Sequence, residues 1–185
     1  RYCFDLVRKM DYDSFMCSLF MPNEASRKSF LTIRAFNAEI STIRESVRNN
    51  TKSGEVRMNW WADALKTLFE KKTVPNEPIC LALENCLKNY DLTPRWFFRM
   101  LEARKMDILS PGWDTLSDLE TYAENTASSL LYLTAEICNV DDDEFYEAAG
   151  HVGKAVGMTT LLRAIGHHCE QRVSVIPGDV LRRNL

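Results

Sequence analysis

In RKSFLTIRAFNAEISTIRESV the apolar residues Phe30, Ile33, Phe36, Ile40, Ile43 and Val47 recur at steps of three and four, with no glycine or proline between them. That spacing places them on one face, so the segment predicts a long amphipathic helix with a buried stripe. Pro22-Asn23 punctuate its start, and NNTKSG supplies turn chemistry at its end.

The rest of the chain is equally sparing of breakers, with seven glycines and six prolines in 185 residues. EVRMNWWADALKTLFEKK predicts a second helix with Val56, Trp60, Ala64, Leu65 and Leu68 on one side. After TVPNEP, the residues Ile79, Leu83 and Leu87 mark a third. TPRWFFRMLEARKMDIL opens with an N-cap threonine and a proline at the first helical position. A turn at Pro111-Gly112 precedes one long helix from about Ser117, and the acidic run Asp141–Glu144 suits the N-terminus of a last helix or helix pair. Only RVSVI, residues 172–176, reads as extended. The expected fold class is all-α, a single domain over 1–185.

Composition narrows the function classes. A 45% hydrophobic content is ample for one core. The net charge of -3 and pI near 5.7 give no basic field for nucleic acid. No run reaches the ~18 apolar residues of a membrane span, which leaves peripheral association through one face open. The six cysteines form no CxxC, so they read as buried thiols in a reducing compartment. No signal-peptide core occurs, and a targeting segment is expected upstream of Arg1.

Candidate sites are few. Trp60 and Trp61 are adjacent on a helix, so only one can face the core squarely. RWFF at Arg95–Phe98 reads as a packing anchor. Adjacent His167 and His168 are badly placed for joint metal ligation from one helix, and His151 stands alone. More informative is a small-residue stripe, Gly153, Gly157, Thr160 and Ala164, on one helical face. Tight helix packing, a ligand channel, or an active-site wall stripped of functional side chains would each produce it. The stretch Tyr122–Tyr132 is similarly small and polar, and together they suggest a cavity inside a helical bundle.

At these residues the chain resembles the squalene/phytoene synthase superfamily. SFMCSLFMPNEASRKSFLTIRAFNAEI is similar to its opening with YAFCR-like text, and GEVRMNWWADAL to its Arg-x-x-x-Trp helix. LEARKMDI and LETYAENTASSLLYL follow in the family's order. GKAVGMTTLLRAIGHHCEQRVSVIPGD resembles GxAxQLTNxLRDxxEDxxRGRxYLPxD. The resemblance implies an isoprenoid-synthase-like helical bundle with a central cavity, here without the family's C-terminal helices. Active relatives join two prenyl diphosphates through Mg²⁺ held by two facing Asp-rich motifs, because a hard cation wants oxygen ligands one helical turn apart.

Aligned on those motifs, the first falls on Ser41, Thr42, Ile43, Arg44 and Glu45, where only Glu45 is acidic. The second falls on Ala164 and His168, with Thr160 at the preceding Asn position. Hydroxyls bring no charge, alanine no ligand, and histidine suits Mg²⁺ poorly. Arg163, Asp107, Pro177 and Asp179 match family positions, and Phe36, Tyr122, Thr126, Gly157 and Arg163 are the expected lining of the former cavity. No catalytic residue and no metal site is expected, and no cofactor; Mg²⁺ enters only under an enzyme reading.

AFNAEISTIRESV and YAENTASSLLYLT are most similar to the branch of mitochondrial complex I assembly factors with a squalene/phytoene synthase-like domain. This resemblance implies a non-catalytic protein on the matrix side of the inner membrane, with complex I subunits or other assembly factors as partners. The alternatives are a prenyl-diphosphate transferase, or a protein that binds an isoprenoid-like ligand.

Overall fold

The computed structural model describes residues 1–47, 50–170 and 174–183. Its helices are α1 (Tyr2–Met10), α2 (Tyr12–Cys17), α3 (Glu24–Val47), α4 (Thr51–Phe69), α5 (Pro78–Leu87), α6 (Pro94–Leu109), α7 (Leu116–Ala123), α8 (Ser129–Ile137), α9 (Asp143–Arg163), α10 (Ile165–Glu170) and α11 (Gly178–Arg183). A 3₁₀ turn, Ser18–Phe20, follows α2, and a π-helical turn, Glu124–Ser128, joins α7 to α8. The described residues contain no strand. Of the extended segment expected at 172–176, Arg172 and Val173 lie outside the described residues, and Ser174–Ile176 form none. No described helix is long and apolar enough to cross a membrane.

The core gathers on the apolar face of α3, where Phe30, Ile33, Phe36, Ile40 and Ile43 are buried. Around it lie α1, α4, α5, α6 and α8. Phe36 sits edge-on to Trp61 of α4 at 5.4 Å and to Phe97 of α6 at 5.6 Å, so three helices lock through one aromatic cluster. The start of α3 is fixed by a reciprocal cap: Ser26 N–H donates to Asn23 Oδ1 and Asn23 N–H donates to Ser26 Oγ.

Helix α4 departs from its sequence reading in two ways. It starts at Thr51, because Asn50 Oδ1 accepts from Ser53 N–H and draws the turn residues into the first helical turn. Its buried face is Met58, Trp61, Ala64, Leu65 and Leu68, whereas Val56 is 67% and Trp60 43% exposed. Rotation by one residue, about 100°, moves Trp61 into the core in place of Trp60. At α6 the Thr93 side chain makes no capping bond; instead Glu136 of α8 accepts from Thr93 N–H and from the Trp96 indole, both at 2.9 Å.

The long helix begins with a capping box between Thr115 and Asp118. Its π turn places Ser128 against α9, where the Ser128 hydroxyl donates to Gly150 O at 3.0 Å. The approach is at backbone distance: a Cβ on Gly153 would lie 2.4 Å from Ser128 Cα, and one on Gly157 2.9 Å from Ala123 Cβ. The glycine part of the small-residue stripe therefore serves helix packing. Ala164 closes α9 as its C-cap, so the stripe does not continue along one helix to that position.

The cysteines are all free, but not all buried: Cys80 and Cys86 are buried, Cys3 and Cys138 partly so, and Cys17 and Cys169 are exposed. The exposed pair sits on short helices, α2 and α10, that bury little apolar surface. Burial pushes the Cys80 thiol up to about 12, with Glu77 adding to it, so its reactive thiolate is scarce at pH 8.

Three outcomes follow from this packing. Gly153→Ala should cost about 2 kcal/mol in urea unfolding, since backbone must shift to admit the methyl group. Gly166→Ala, with open space around it, should be neutral or slightly stabilising. In native protein at pH 8, mass spectrometry after iodoacetamide treatment should find Cys17 and Cys169 labelled and Cys80 and Cys86 protected; early labelling of Cys80 would contradict the packing of α5.

Candidate functional site

The residues of α3 that point away from the core, Arg34, Asn37, Ala38, Ser41, Thr42 and Glu45, follow one another at helical steps. They form one wall of a cavity of about 780 Å³. Asp11 and Ser14 close one end, Arg104 and Asp107 of α6 and Tyr122 and Thr126 of the long helix form a second wall, and Gly157, Thr160 and Arg163 of α9 with His168 form the rest. A second cavity, of about 990 Å³, lies beside Trp113 and Met106 and shares Asp107 and Tyr122 with the first.

Of the residues singled out from sequence, Ser41, Thr42, Glu45, Thr160, His168, Tyr122, Thr126, Gly157 and Arg163 line the first cavity. Phe36 does not. It is wholly buried among Trp61 and Phe97, because it belongs to the apolar stripe of α3 and not to its polar side. Ala164 is also off the wall, at the break between α9 and α10. Asp179 works elsewhere: its Oδ1 accepts from Leu116 N–H at 3.1 Å and ties α11 to the start of α7.

Polar groups of the cavity walls pair with one another in part, while Arg34 Nε, Arg44 Nη2, Arg104 Nε and His168 Nδ1 have no hydrogen-bond partner. Arg44 Nη1 donates to both oxygens of Asp107, at 2.8 and 2.7 Å, and the two side chains are only 17% and 10% exposed. Arg104 donates to Tyr122 OH at 3.2 Å and to Asn37 Oδ1 at 3.0 Å. Arg34 faces Asp11 at 3.7 Å and lies over the Phe30 ring. Burial pushes the Tyr122 phenol up, against the pull of Arg104, and lowers the His168 imidazole, helped by Arg44. Ser41, Thr42 and Thr160 each turn their hydroxyl back to a carbonyl of their own helix.

This donor set does not fit Mg²⁺. Asp107 is engaged by a guanidinium, Glu45 meets His167 Nε2 at 3.2 Å, and the hydroxyls of Ser41, Thr42 and Thr160 carry no charge to offset that of the ion. Among the described residues no cluster of His, Cys, Asp and Glu is arranged to hold a metal. A hard divalent ion needs several free oxygens converging at about 2.1 Å, and here the Asp107 carboxylate is already held by Arg44.

Sequence reading missed Arg34, Asn37 and Arg104 as wall residues. Arg34 and Asn37 lie seven and four residues before Ser41, so extending that helical face would have found them. Arg104 precedes Asp107 by three residues and was equally within reach. Asp11 carried no local signal.

Because the Arg44–Asp107 pair is largely buried, breaking it from one side should be worse than removing both partners. Asp107→Leu alone should lower stability by about 3 kcal/mol in urea unfolding, and adding Arg44→Met should recover part of that loss. Equal stability of all the variants would mean the pair is solvated.

Comparison with known proteins agrees with this architecture. In a dehydrosqualene synthase crystallised with ligand, 62% of the chain superposes on 98% of this one with a TM-score of 0.84, at 21% identity, a likeness of fold. Complex I assembly factor 6 of Rattus norvegicus is 41% identical over 179 residues, covering 97% of this chain and 53% of its own length. The Drosophila melanogaster homolog is 32% identical over 185 residues, covering 98% and 55%. The chain thus spans about half the length of the curated relatives it matches. The squalene/phytoene synthase family profile matches residues 7–185, nearly the whole chain, and the protein belongs to that family.

Proposed function

We propose that this chain is part of a non-catalytic squalene/phytoene synthase-like protein that acts in assembly of mitochondrial respiratory complex I. The similarity to proteins named as complex I assembly factor 6, at 41% identity over nearly all of the chain, carries the reading. The cavity supports its non-catalytic half: where a diphosphate-leaving reaction wants metal-binding carboxylates, the walls present an arginine–aspartate pair and uncharged hydroxyls.

On this reading the protein works in mitochondria, on the matrix side of the inner membrane and at most peripherally attached. Its partners are complex I subunits or other assembly factors. The retained cavity also favours a second reading, in which an isoprenoid-like molecule is bound but not converted.

Two measurements test the proposal on the full-length protein. Pyrophosphate release from farnesyl or geranylgeranyl diphosphate should stay at background with and without Mg²⁺. In cells lacking the protein, wild type and Glu45→Gln should restore complex I to within about twofold of each other, because an exposed ion pair contributes little to the fold. Mg²⁺-dependent turnover abolished by Glu45→Gln would replace this reading with the transferase one.

A further inference from the structure

We propose that the second cavity, beside Trp113, is a docking groove for a basic amphipathic helix of a protein partner. It opens between α6, α7, the loop at 110–114 and the segment from Ser174 to Leu181, and encloses about 990 Å³. Its apolar lining includes Met106, Trp113, Ile176 and Leu181, of which Met106 is 51% and Leu181 38% exposed. Apolar side chains lining an open groove gain free energy when a complementary apolar surface covers them.

The charge of the groove decides the kind of partner. Four carboxylates and one arginine line it: Glu102, Asp107, Asp114 and Asp118 with Arg99. Asp107 is neutralised by Arg44, and Arg99 is held by Glu124 at 3.6 Å and by Asn125. Asp118 accepts from the Thr115 N–H and hydroxyl, neutral donors that leave its charge uncancelled. The side chains of Glu102 and Asp114 are exposed and meet no donor among the described residues. Neither arginine of α11 lines the groove, and Arg183 faces Asp179 at 3.9 Å. The rim is therefore negative, whereas Arg34, Arg44, Arg104 and Arg163 line the first cavity. Complementary charge steers a cationic partner into such a groove and turns away an anionic one.

Hydrogen bonding favours a helix over an extended strand. The loops beside the groove are already tied together, Gly178 N–H donating to Trp113 O at 3.1 Å and Asp179 N–H to Asp114 O at 2.9 Å. The remaining walls are helices that satisfy their own backbone. An extended segment buried there would leave its N–H and C=O groups without partners, whereas a helix carries that pairing within itself. Its apolar stripe would cover Met106 and Leu181, and Lys or Arg beside the stripe would face Glu102, Asp114 and Asp118. The Trp113 ring, half-buried against Tyr122 at 5.2 Å, gives such a cation an aromatic surface as well.

This docking stands apart from the assembly reading, because peptide affinity and complex I rescue are measured separately. Full-length protein titrated into a labelled helical peptide of about 18 residues, leucine on one face and lysine on the other, tests it by fluorescence anisotropy. Saturable binding is expected, with a Leu/Glu peptide of the same pattern and a scrambled Leu/Lys peptide about tenfold weaker. Glu102→Lys with Asp114→Lys, both at exposed positions, should weaken the Leu/Lys peptide about tenfold and strengthen the Leu/Glu one. Asp63→Lys with Glu70→Lys, exposed carboxylates on and just after α4, should change neither. Met106→Ser should weaken the Leu/Lys peptide about threefold, and it serves in place of the double reversal should that variant fail to fold by circular dichroism. Folded wild type that binds no Leu/Lys peptide, whether because a second copy or another part of the full-length chain covers the groove, overturns the proposal. So does equal binding of the Leu/Glu peptide, or binding that the groove substitutions leave unchanged.

Discussion

Helix α3 has to satisfy two environments at once, and the arrangement of the other helices follows from that. One stripe, Phe30 to Ile43, is closed over by α4, α5, α6 and α8. The neighbouring stripe, Arg34 to Glu45, is left facing a cavity. Apolar burial near 25 cal/mol per Å² holds the first side, and the aromatic contact of Phe36 with Trp61 and Phe97 fixes how α4 and α6 lean on it. Once α6 is so placed, Asp107 comes opposite Arg44, and the polar side acquires its buried ion pair.

That pair decides what chemistry the cavity is suited to. A guanidinium bonded to both oxygens of a carboxylate makes a nearly neutral pair, and it occupies a carboxylate that could otherwise help to hold a divalent ion. The surrounding hydroxyls donate back to their own helices and bring no charge.

The opposite wall is positioned by backbone contact. Gly153 and Gly157 let α9 lie against Ser128 and Ala123 with no side chain between. The π turn at Glu124–Ser128 is where this happens, and it is also where Thr126 meets the cavity. A local irregularity in the long helix therefore sets the distance between two walls, in keeping with the association of π turns with sites.

Much of this was legible in the sequence. The 3.6-residue periodicity of α3 and the scarcity of glycine and proline determined an all-α fold, and motif order identified the family and the motifs that lost their acids. Ser41, Glu45, Thr160 and His168 could be placed because motif spacing on a helix is local information. What only the tertiary structure decided was which rotation each helix takes and which charges meet. Trp61 rather than Trp60 enters the core, Phe36 joins it instead of the cavity, and Arg44 finds Asp107 across 63 residues of chain. Such pairings depend on packing between helices far apart in sequence, and neither periodicity nor motif spacing carries that information.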